Sequence, residues 1–105
     1  PLTDLVQVLS PEEKVFTIKA TLYLYKDADQ ESVLKTIEEK LKEYKKTLSE
    51  KLGKNVIRTQ IIAILNSVYG VFKVDLNLEV DIDIKEHQWA NLKNWEINIG
   101  GYADE

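Results

Sequence analysis

The nine residues from Val68 to Leu76, Val-Tyr-Gly-Val-Phe-Lys-Val-Asp-Leu, restrict the fold more than any other stretch. An apolar helical run stops on Gly70, and a period-2 alternation begins directly after it. Glycine adopts positive φ without a Cβ penalty, so it ends a helix abruptly. Beyond it, Phe72, Val74 and Leu76 are expected to point one way and Val71, Lys73 and Asp75 the other. Read by themselves, these residues point to an α+β domain in which a helix is followed directly by a strand.

The remaining sequence supplies the other elements. Leu5-Val6-Gln7-Val8-Leu9 reads as a short extended segment closed by the turn signal Ser10-Pro11. Val15 to Tyr25 alternates almost strictly, with Phe16, Ile18, Ala20, Leu22 and Leu24 on an inner face and Thr17, Lys19, Thr21, Tyr23 and Tyr25 on the other. Asp27-Ala28-Asp29 offers N-caps for a helix to about Leu52, whose stripe is Val33, Leu34, Ile37, Leu41, Tyr44 and Leu48. Gly53 fits the position just past its end. Thr59 is expected to cap a second, shorter and largely buried helix through Ile61 to Leu65.

Alternation then persists from Phe72 to Ile84, which as one strand would span roughly 43 Å. A domain of this size has a radius of gyration near ~13 Å, so a break is expected near Asn77 to Glu79, giving two strand pieces. Lys85 to Asn94 reads as a polar connection containing Trp89. Trp95, Ile97 and Ile99 form a last strand ended by Gly100-Gly101, with a frayed tail from Tyr102 to Glu105. The expected fold is α+β, a two-layer sandwich in the order β-α-α-β-β. Two helices pack on one face of a small antiparallel or mixed sheet. Residues 1–105 read as a single domain, with 1–10 arriving from a preceding region; the absence of methionine and the opening proline are expected of a fragment cut from a longer protein.

Composition excludes several functions. The content of 44% hydrophobic and 30% charged residues is that of a globular protein, and no cysteine is present for a thiol nucleophile, disulfide or zinc-thiolate site. No run approaches the ~18 apolar residues of a membrane span, and the N-terminus lacks the basic and apolar regions of a signal peptide. The net charge is −4, and Arg58 is the one arginine among fourteen basic residues, so nucleic-acid binding is not expected.

Candidate chemistry is sparse. His87 sits between Glu86 and Gln88 in a polar stretch with no recognised nucleophile motif, and reads as a surface histidine. Asp75, Glu79, Asp81 and Asp83 alternate along one strand face, but neighbours two apart lie ~6.5 Å from each other and no calcium-loop glycine is present. They read as a solvated face that discourages edge-to-edge aggregation. Gly100-Gly101 has no following helix and no lysine or serine at phosphate-loop spacing. Tyr23 and Tyr25 are the sharper hint: a helix layer cannot cover both faces of the first strand, and exposed aromatics mark protein contacts. With Trp89 they are the candidate protein interface. Gly53, Gly70, Gly100 and Gly101 are the candidate turn residues.

End to end, the chain resembles the C-terminal part of the phage baseplate J-like family. The opening Pro1-Leu2-Thr3-Asp4-Leu5-Val6-Gln7-Val8 with Ser10-Pro11 resembles its P-x-T-D-x-V-x-V-x-S-P element. Ala20 to Tyr25 resembles its first strand, and Val68-Tyr69-Gly70-Val71 its helix-to-strand turn x-V-x-G-V-x-x-V-x-L. Gln88 to Gly101, with Trp95-Glu96-Ile97-Asn98-Ile99-Gly100-Gly101, resembles its closing strand. Where the family often has a proline between the two strand pieces, this chain has Leu78-Glu79. The resemblance implies a structural module of a contractile phage or prophage tail baseplate, contributing to wedge assembly and contacting other tail proteins. Its place would be the virion tail, and the bacterial host cytoplasm during assembly. No catalytic activity, cofactor or small-molecule substrate is implied. The competing expectation, from the two-layer pattern alone, is a ferredoxin-like domain that binds a small regulatory molecule. Its usual βαββαβ order counts against it.

Overall fold

In the computed structural model, residues 10–103 are described. The segment Leu5 to Leu9 and the last two residues of the tail lie outside them. Five elements succeed one another: β1 (Glu12–Leu24), α1 (Gln30–Ser49), α2 (Arg58–Asn66), β2 (Val71–Leu76) and β3 (Gln88–Tyr102). The sheet is mixed, in the order β2-β1-β3. β2 runs antiparallel to β1 and β3 runs parallel to it. This is the α+β arrangement expected from the sequence, in the order β-α-α-β-β.

The alternation of β1 decides where the core lies. Phe16, Ile18, Ala20, Leu22 and Leu24 are all buried, and Val33, Ile37, Leu41, Tyr44 and Leu48 of α1 close over them in one cluster. Each fully buried Leu or Ile there contributes about 1.5–3 kcal/mol relative to exposure. α1 starts at Asp29, whose carboxylate accepts from the Ser32 N–H at 3.3 Å and from the Ser32 hydroxyl at 2.6 Å. It ends at Ser49, earlier than expected, because the next position on its stripe, Leu52, is 56% exposed and has no core to join. Gly53 therefore does not cap α1. It lies further along the loop with φ +68 and donates its N–H to the Gln88 carbonyl at 2.8 Å.

α2 departs from expectation in two respects. Ile57, not Thr59, is its N-cap, and no side chain of its own caps it. The Arg58 N–H is instead taken by the Asp81 carboxylate at 2.7 Å. The helix is also less buried than its sequence suggests: Ile61 and Leu65 are buried, Ile62 and Ile64 half-buried, and Ala63 exposed.

Gly70 turns the chain from α2 into β2 with φ +99, and its carbonyl accepts the Tyr25 N–H at 2.9 Å. A Cβ there would stand 2.9 Å from Ala28 Cβ and 3.0 Å from Val33 Cγ2. Immediately after it, β2 carries a bulge: Leu24 pairs with Val71 and Tyr23 with Lys73, which leaves Phe72 without a partner. The bulge reverses the expected facing at the start of the strand. Val71 is buried and Phe72 is 38% exposed, while Val74 and Leu76 keep the half-buried side.

The break falls at Asn77, whose side chain accepts the Lys19 N–H at 2.8 Å while its own N–H bonds the Lys19 carbonyl at 2.9 Å. Beyond it lies not a second strand piece but a strap whose one β-bridge among the described residues joins Val56 to Ile82. β3 in turn begins well before Trp95 and runs through the glycines to Tyr102. Polar residues at Asn91, Lys93 and Asn94 hide this in the sequence, since backbone pairing with β1 needs no apolar alternation. The tail is not frayed at Tyr102 and Ala103: Tyr102 pairs with Leu24, and Ala103 is buried.

Two substitutions test these contacts by urea unfolding. Gly70→Ala forces a Cβ into a left-handed position against Ala28 and is expected to cost about 1–3 kcal/mol. Asp81→Ala removes the cap of α2 and is expected to cost ~1 kcal/mol. An unchanged midpoint in either variant would contradict the role assigned to that residue.

Candidate protein interface

The helices cover one face of the sheet, so the other carries the alternate residues of β1. Tyr23 is half-buried there because β3 bends around it. A register shift after Leu22 leaves Gly100 unpaired, and a Cβ on Gly100 would stand 2.7–2.8 Å from the Tyr23 ring. Only glycine lets the ring lie down on β3. On its other side, the Lys73 ammonium sits 5.4 Å from the ring centroid, within cation–π range. Tyr25 is 42% exposed and meets the bulged Phe72 edge to face, with ring centroids 5.4 Å apart and planes at 75°. Tyr23, Tyr25, Phe72 and Lys73 thus make one aromatic and cationic patch at the end of β1.

Trp89 lies elsewhere. It pairs with Glu13, ten positions from Tyr23 along β1 and therefore roughly 33 Å away. The structure joins the two tyrosines and leaves Trp89 apart. Sequence reasoning misses Phe72 as a surface residue because the alternation alone places it inside; the bulge that turns it out arises from pairing with β1. Of the turn glycines, Gly100 and Gly101 do not end their strand, since β3 continues to Tyr102.

The acidic residues after β2 are engaged separately. Asp81 caps α2, while Asp83 pairs with Lys85 at 2.8 Å. The Lys85 hydrogen bond and charge hold the Asp83 carboxyl below its ordinary range. On the outer face, Glu96 is lowered likewise by its bonds from Asn98 and Lys19. Among the described residues no group of three or more His, Asp or Glu is placed to hold a metal ion. His87 is exposed, and its carbonyl accepts the Glu12 N–H at 2.9 Å. No described helix is long and apolar enough to cross a membrane.

One buried polar group stands out. Tyr44 is 7% exposed, beside a groove of about 430 Å³ between α1 and α2, and its hydroxyl has no hydrogen-bond partner among the described residues. Burial raises its pKa above the ordinary value.

The two-layer fold leaves one face of the sheet without a helix, and the aromatic patch lies on that face. The family model for the Baseplate J-like protein C-terminal domain matches residues 16–98, most of the chain, and the chain belongs to that family. No match was found among the curated proteins.

Tyr44→Phe removes the orphaned hydroxyl, which in a buried site costs ~1–3 kcal/mol. The variant is expected to be as stable as the parent or up to about 1 kcal/mol more stable in urea. The pH dependence has a definite sign. An unfolded Tyr44 ionises near 10.0 and the folded one higher, so stability is full below that value and falls as the pH rises through it. Tyr44→Phe should lack this part of the alkaline loss. A destabilised variant would show that the hydroxyl has a partner after all.

Proposed function

We propose that this domain is a structural protein-interaction module of a contractile phage or prophage tail baseplate, contributing to wedge assembly through its uncovered sheet face. Membership of the baseplate J-like family supports the baseplate role. The observation that carries the contact surface is the Tyr23–Tyr25–Phe72–Lys73 patch, in which two aromatic rings are each more than a third exposed on the face opposite the helices. Clustered aromatics beside a cation are the composition of energetic centres in protein interfaces. The partners are other tail baseplate proteins, the setting is the tail of the virion, and the domain performs no catalysis of its own. The ferredoxin-like alternative is disfavoured by a three-stranded sheet in which both helices precede β2 and β3.

The test is co-purification of the full-length protein with the products of the neighbouring genes, with and without Tyr23→Ser and Tyr25→Ser together. Loss of two central aromatic contacts is expected to weaken the complex at least ~30-fold, as hot-spot truncation does. A double variant that assembles normally would remove the interface from this face.

A further inference from the structure

Among the described residues β3 is an edge strand of fifteen residues, paired with β1 on one side only. Its first part is closed on the free side. Gly53 donates to the Gln88 carbonyl at 2.8 Å, and the Lys45 ammonium reaches the Leu92 carbonyl at 2.9 Å and the Asn91 side chain at 3.0 Å. A bulge comes next, at Lys93, and another falls at Gly100. Between them run Asn94 to Ile99, six residues that form no backbone hydrogen bond to any described element other than β1. Natural edges are usually guarded by charges, proline or irregular pairing. This stretch has no proline and a single charge, Glu96, which is already engaged by Lys19 and Asn98.

The free stretch lies beside a groove of about 360 Å³ between α1 and β3, lined by Leu34, Ile37, Glu38, Lys93, Trp95 and Ile97. Leu34, Trp95, Ile97 and Ile99 remain half-buried, so the inner face of the sheet is incompletely covered at this margin. Trp95 and Ile97 are two apart on a strand, the spacing at which a neighbouring strand presents its own inward side chains. The charges at the rim are unequal. Glu38 accepts the Trp95 indole N–H at 3.0 Å and has Lys42 at 3.9 Å, whereas Lys93 has no acidic partner among the described residues. The charge left over is positive.

We propose that this edge receives an extended strand from a partner baseplate protein, carrying apolar side chains at alternate positions and a carboxylate at the Lys93 end. Backbone bonds to Asn94–Ile99 supply affinity, and the groove selects the alternate side chains, as in other cases of strand addition. The inference rests on the baseplate reading but uses a different surface from the tyrosine patch.

The experiment is residue-resolved hydrogen exchange on the full-length protein, alone and in complex with the baseplate proteins that co-purify with it. Strand addition protects alternate amides of Asn94–Ile99 that face away from β1, slowing them at least ~10-fold, while their neighbours are protected in both states. Lys93→Glu, at an exposed site, is expected to weaken the complex roughly 5–10-fold. A complex that forms with these amides unchanged overturns the edge proposal and leaves the proposed function standing. No complex at all overturns both. Protection that appears in the protein alone and grows with its concentration assigns the edge to a second copy, and overturns the assignment to a different protein.

Discussion

The packing of α1 against the inner face of β1 is the contact on which everything else rests. Among the described residues β1 is the one strand paired on both sides, and its five inward residues are buried under the α1 stripe. A strand so placed dictates the remaining order. β3 lies parallel to it, which requires a long crossover, and α1, α2 and β2 occupy that connection. Displacing the helix would uncover the sheet and remove the reason for its register.

α2 depends on a second, polar set of contacts. A helix of nine residues is marginal by itself, and this one has no side-chain cap of its own. The strap after β2 holds it. Asp81 takes the Arg58 N–H, the Leu78 carbonyl accepts from the Arg58 guanidinium at 2.8 Å, and Val56 bridges Ile82 through bonds of 2.9 and 3.0 Å. Asn55 completes the seam by accepting the Ile84 N–H at 2.8 Å. The acidic alternation that resembles a solvated strand therefore includes a helix cap. Its alternation carries no strand because only one residue of the strap finds a backbone partner in a bridge.

Uneven coverage links this architecture to its role. Two helices shield one face, and the opposite face keeps aromatic rings that meet each other, the Lys73 ammonium and, at Tyr23, the close approach of Gly100. The outer margin of β3 keeps half-buried apolar groups beside an unpaired backbone. The proposed contacts use these two surfaces, which the helices leave uncovered.

What the sequence determined by itself were the elements with strong local periodicity: β1 with its inner face, the α1 stripe, the start of β2 directly after Gly70, and the α+β class, whereas α2 already ends at Asn66, before that glycine. These depend on side-chain spacing and backbone sterics within a few residues, which are written along the chain. Tertiary structure alone decided the outward turn of Phe72, the early start of β3, the parallel pairing with β1, the capping of α2 by Asp81, and the separation of Trp89 from Tyr23 and Tyr25. Each of these arises from a backbone or side-chain bond between residues distant in sequence. A bulge is set by which strand pairs opposite, and a cap supplied from 23 residues away leaves no local signature at the helix it completes.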